Sequence, residues 1–168
     1  RSIDSGATFT KSLNETYYNI SLGKGDEVAS YSVAYNWEST EKKSKTDYFY
    51  GATTAEFTHV GIADVLAVAM LNKAMTKSET RRSIDSGATF TKSLNETYYD
   101  IRLGKGDEIA DYSIAYNWDS TEKKSKTAFF YGTGMVRAAL ALINDAMTKS
   151  ETRRTIDLGL TFDKSLTE

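Results

Sequence analysis

Apolar Ile156, Leu158, Leu160 and Phe162 alternate with Asp157, Gly159, Thr161 and Asp163. A period of two predicts a half-buried β-strand. The same frame recurs with weaker residues at Ile3, Ser5, Ala7 and Phe9, and again at Ile84, Ser86, Ala88 and Phe90. A second strand is expected to place Tyr18, Ile20 and Leu22 on one side and Tyr17, Asn19 and Ser21 on the other. Gly23, Lys24, Gly25 and Asp26 supply the residues of a tight reversal. A third strand follows, with Tyr31, Val33, Tyr35 and Trp37 inward and Ser30, Ser32 and Asn36 outward. After a polar loop over 38–45, a fourth strand is predicted around 46–50.

The period then changes. Val136, Leu140, Ile143 and Met147 follow i, i+4, i+7, i+11, which predicts an amphipathic helix. The same register in the first half gives Asp64, Val68, Leu71 and Met75. Both stretches end in AMTKSETRR, where cations would suit a helix C-terminus. The first half holds nine more residues before that shared end, placed here as a loop around 52–61.

These elements repeat. RSIDSGATFTKSLNETYY opens at Arg1 and again at Arg82, and a diverged short copy opens at Arg154. The expected fold class is therefore α+β, a tandem repeat of a four-stranded antiparallel sheet plus one helix (ββββα-ββββα-β) with the helices packed together. The units would span 1–81, 82–153 and a partial third repeat over 154–168. Three opening strands for two sheets leave one strand over. Such a strand can add to the edge of another sheet, where main-chain hydrogen bonds give the affinity. Self-association through residues 2–11 and 155–164 is the expected partnership, and a non-enzymatic structural or self-assembling protein is the expected function.

Composition changes this picture little. With 168 residues, 40% hydrophobic and 26% charged, the chain has the make-up of a folded domain rather than a disordered tract. A net charge of -2 gives no electrostatic case for a polyanionic partner. The absence of cysteine excludes disulfides and thiolate metal sites. The longest apolar stretch, 60–71, contains Asp64 and falls short of the roughly 20 residues a spanning helix needs, so no membrane insertion is expected. No feature assigns a compartment.

Catalytic chemistry finds no purchase. His59 is the sole histidine and has no counterpart in the second half. The pairs Asp26-Glu27 and Asp107-Glu108 are adjacent in sequence, so in a strand they would point to opposite faces. No enzyme activity, cofactor or metal is expected. LGKGDE joins two predicted strands and reads as a turn rather than a phosphate cradle, while YGTGM at 131–135 joins strand to predicted helix. The sequons at Asn14, Asn19 and Asn95 permit glycosylation only in an exported protein.

The alternative function is a binding module for single-stranded nucleic acid or a small ligand. It would use the outward sheet faces (Tyr17, Asn19, Ser32, Asn36, Tyr98, Arg102, Ser113 and Asn117) and the basic hairpin loops (Lys42, Lys43, Lys123 and Lys124). Between the copies, the charge-altering changes Asn19 to Asp100, Ser21 to Arg102 and Ser30 to Asp111 fall on the outward faces, and Asp47 to Ala128 is among the other differences.

Overall fold

The computed structural model describes residues 12–21, 23–62, 69, 72–156 and 161–167. They form one antiparallel sheet of 11 strands. The strands are β1 (Asn14–Asn19), β2 (Val28–Tyr35), β3 (Lys42–Gly51), β4 (Thr58–His59), β5 (Ala74–Ser83), β6 (Phe90–Asp100), β7 (Ile109–Tyr116), β8 (Lys123–Tyr131), β9 (Val136–Arg137), β10 (Met147–Thr155) and β11 (Phe162–Thr167). Their order is β1-β2-β3-β5-β6-β7-β8-β10-β11, with the two-residue strands β4 and β9 attached to β3 and β8. Each strand on this path pairs with its predecessor, so the sheet is a meander.

The α+β expectation is overturned, and with it the packed helices. Among the described residues helical structure amounts to a 3-10 turn at Ala138–Leu140 and the 3-10 residue Ala69. The stretch AMTKSETRR, read above as a helix end, is β5 and again β10. The reason lies in its alternation: Thr76, Ser78 and Thr80 point one way, Lys77, Glu79 and Arg81 the other. Both faces are polar, so the period of two leaves no apolar trace. The first half's predicted helix otherwise lies mostly outside the described residues. In the second half, Leu140 and Ile143 are 72% and 59% exposed rather than packed against a partner helix.

The opening segment is also corrected. At 84–89 it is no strand but the hairpin turn between β5 and β6. The Ala88 N–H donates to the Asp85 carbonyl at 3.2 Å. The Thr89 N–H donates to the Asp85 carboxylate at 2.5 Å, and the Gly87 N–H to Ser83 Oγ, also at 2.5 Å. Gly87 has φ +103°, and an added Cβ would lie 2.7 Å from Lys42 Cβ. Strand pairing resumes at Phe90. The third copy repeats the arrangement in part: β10 ends at Thr155, and β11 begins at Phe162 and pairs back on β10. The first copy, over 1–11, lies outside the described residues.

The two halves match to the level of their irregularities. A bulge between Tyr17 and Tyr18 in β1 recurs between Tyr98 and Tyr99 in β6. Those between Thr80/Arg81 and Arg82/Ser83 recur at Thr152/Arg153 and Arg154/Thr155. The turns at 20–26 and 101–107 are closed identically, with Gly23, Gly25, Gly104 and Gly106 all at positive φ.

Among the described residues no second layer covers the middle of this sheet. Apolar packing gathers at one end, where Val28, Tyr50 and Val60 form one small cluster and Tyr131, Ala138 and Ala141 another. The loops leading out of β3 and β8 fold over to build them. The accessible surface of 9879 Å² exceeds the about 8,300 Å² expected for a compact monomer of this mass. Trp37 and Trp118, placed in the core by the alternation of the third strand, are 68% and 77% exposed in the β2–β3 and β7–β8 turns. The inward run ends at Tyr35 because Asn36 starts a turn.

Candidate functional site

Pairing register sorts the side chains onto two faces. One bears small hydroxyls: Thr16, Ser32, Thr46 and Thr80 lie in a row across four strands, and Thr97, Ser113, Thr127 and Thr152 in another. The Thr46–Thr80 and Thr127–Thr152 hydroxyls share hydrogen bonds of 2.8 Å. The opposite face bears charges and rings: Tyr17, Tyr31, Asp47, Glu79, Glu96, Ile114, Lys126 and Arg153 form one transverse row.

The centre of the charged row is buried, and that burial gives it structural weight. Asp47 is 6% and Glu79 5% exposed. Lys45 Nζ stands 2.7 Å and His59 Nε2 3.3 Å from Asp47 Oδ1, with Arg81 at 3.8 Å from Oδ2. Arg81 Nε and Nη2 donate to the two oxygens of Glu79 at 2.7 and 2.9 Å. Lys77 bridges Glu79 at 3.2 Å and Glu96 at 2.8 Å, lying 5.0 Å from the centre of the Phe49 ring. Burial pushes the Asp47, Glu79 and Glu96 carboxyls up, but these cations and the neighbouring hydroxyls more than offset it. Each is held below its ordinary range. Tyr98 stacks on Tyr112 with ring centres 4.6 Å apart, and Tyr17 on Tyr31 at 4.8 Å.

Asp47, Glu79 and Glu96 are therefore ionised near neutral pH and do not supply a general acid. Among the described residues no group of three His, Asp or Glu side chains converges to hold a metal ion.

The second half builds the same row differently. Ala128 takes the place of Asp47, facing Tyr112 and Glu151 as Asp47 faces Tyr31 and Glu79. Arg137 takes the register position of His59, opposite Phe130 as His59 is opposite Phe49. Glu151 accepts from Arg153 Nε at 2.5 Å, and Asp111 holds Arg137 at 2.6 Å.

The residues singled out from sequence are not brought onto one surface. Tyr17 and Tyr98 lie on the charged face, donating to Glu15 at 2.8 Å and Glu96 at 3.1 Å. Ser32 and Ser113 lie on the hydroxyl face. Asn19 is fully buried, its Nδ2 donating to the Gly61 carbonyl at 2.7 Å. Asn36 and Asn117 close the hairpin turns, their Oδ1 atoms accepting from the Thr40 and Thr121 N–H groups at 2.9 Å. Arg102 donates to the Ala141 carbonyl. Lys42, Lys43, Lys123 and Lys124 are exposed at the hairpin ends of β3 and β8, near the two tryptophans. Arg82 lies flat on Trp118, its guanidinium carbon 3.3 Å from the ring centre.

The sequence reading missed the charged row itself. Its signals were present in the K-S-E-T-R alternation and in the loss of Asp47 at position 128. In comparisons with protein-family models, curated proteins and solved structures, nothing matches this chain.

Proposed function

We propose that this protein is a non-enzymatic structural protein whose sheet is extended by strand addition between copies. One observation carries the reading. In the interior, Asn95 of β6 sits between Thr80 of β5 and Ala115 of β7. Among the described residues, Asn14 at one end of the sheet pairs with Ala34 of β2 alone, and Thr167 at the other with Thr152 of β10 alone. The two ends are the two halves of that interior row. The middle segment, paired on both sides, is the pattern for joining β11 of one copy to β2 of the next, in the place of β1. Main-chain bonds then supply affinity, and the stacked rings and charges of the outer row set the register.

Ala34→Cys combined with Thr167→Cys tests this in the full chain under oxidation. Disulfide-linked dimers and longer ladders, with mass in light scattering rising with concentration, are expected. A bond confined to single chains, or a monomer at all concentrations, overturns the reading.

A second reading is favoured by the exposed tryptophans. With Lys42, Lys43, Lys123 and Lys124 beside them, Trp37 and Trp118 offer stacking platforms to an unpaired nucleic-acid strand. Quenching of tryptophan fluorescence by an oligothymidine, weakening with salt, is the expected signature. Its absence at low salt rejects this second reading.

A further inference from the structure

The second half of the sheet carries a cleft where the first half is filled. Its volume is about 390 Å³, and Lys126, Ala128, Phe130, Arg137, Arg153 and Phe162 line it. In the first half the equivalent place holds Asp47, a carboxylate that answers Lys45, His59 and Arg81 at once. Ala128 removes that carboxylate and keeps the cations. Lys126, the counterpart of Lys45, lies over the Tyr112 ring at 4.2 Å. Arg137 stands where His59 stood, as a cation at every physiological pH. Its Nη2 is held by Asp111, while its Nε is buried with no hydrogen-bond partner. Glu151 balances Arg153 and is, among the described residues, the one carboxylate lining the cleft.

We propose that this cleft binds a small carboxylate with a planar apolar body, the chemistry of an aromatic acid. The ligand's oxyanion takes the place of the missing Asp47 carboxylate, between Lys126 and Arg137. Its ring lies against Phe130 and Phe162. The volume falls at the lower end of the range for small-molecule sites, which suits a one-ring ligand. A charge-assisted contact inside a concave wall is stronger than the same contact on an open surface.

Titration of the full chain with benzoate, followed by the amide signals of Ala128 and Phe130, tests the proposal. Saturable binding is expected, with sulfate and benzyl alcohol each binding more weakly. Ala128→Asp installs the side chain that the first half already carries at this register, so the fold has a precedent for it. It is expected to lower benzoate affinity about tenfold or more, with little change in thermal midpoint. Lys126→Met, which keeps the stem and removes the charge, is expected to do the same. Failure of benzoate to saturate, or wild-type affinity retained in both variants, overturns the site. Sulfate binding as tightly as benzoate overturns the aromatic part.

Discussion

Glu79 and Glu151 are the same residue of the repeat in different surroundings, and the contrast makes a prediction. Glu79 lies between two fully paired strands and is held by Arg81, Lys77 and Ser93. Glu151 lies next to the last strand of the sheet and is held by Arg153 and Lys149. Neutralising a buried carboxylate strands the cations around it, so Glu79→Gln is expected to cost about 3 kcal/mol in urea unfolding. Glu151→Gln should shift the urea midpoint far less, because solvent screens an outer pair. The pH dependence follows from the same groups. Asp47, Glu79 and Glu96 have folded pKa values below their ordinary 3.8 and 4.5, so the unfolded chain binds protons more readily than the folded one. Their stabilisation is complete above the ordinary range and is lost as pH falls through it toward the lower folded values. The urea midpoint of the wild type should therefore fall between about pH 5 and pH 3, and less steeply in Glu79→Gln.

At the scale of elements, the hairpin over 84–89 depends on backbone that only glycine adopts without strain. Gly87→Ala meets both a positive φ and the Lys42 backbone and side chain, and is expected to cost about 1–3 kcal/mol. Gly134→Ala, where the nearest atom to a new Cβ is 3.6 Å away, should be near neutral in the same thermal melts. Strands β2, β3, β7 and β8 were legible in the sequence because aromatic and β-branched residues alternate in them. So were the reversals at Gly23 and Gly104. Strands β5 and β10 were hidden because their alternation is hydroxyl against charge, with no apolar side to betray it. The apolar spacing at 136–147 misled because Ala138 and Ala141 pack beneath Tyr131 while Leu140, Leu142 and Ile143 stay exposed. Four residues at helical spacing do not make a helix when nothing lies opposite them. Lys42, Lys43, Lys123 and Lys124, expected in hairpin loops, open strands β3 and β8 instead. In the candidate site, the Asp47 cluster was not legible, since its members come together only through register across three strands.

Over the molecule, the described residues do not concentrate stability in one core, because none of them builds one over the middle of the sheet. Stability rests on main-chain ladders, cross-strand pairs and two small clusters at one end. Opening should then be graded from the outside inward. Hydrogen exchange is expected to be slowest in β3, β5, β6, β7 and β8 and fastest in β1 and β11. Mass spectrometry of exchanged peptides checks this. Uniform protection, with the outer strands as slow as β6, would contradict it.

Among the described residues the meander runs through nine strands, an odd number. Every step reverses the chain, so the first and the last strand point in the same direction. The sheet therefore cannot roll up into a cylinder with antiparallel closure unless one terminal strand steps aside. Two intact copies lying side by side in the same orientation would meet in a parallel seam. A half-turn about the sheet normal makes the seam antiparallel but joins like edge to like, β1 to β1 or β11 to β11. A head-to-tail series of copies in one orientation with antiparallel seams is left to copies that give up a strand, because an even number of strands sets the two edges in opposite directions.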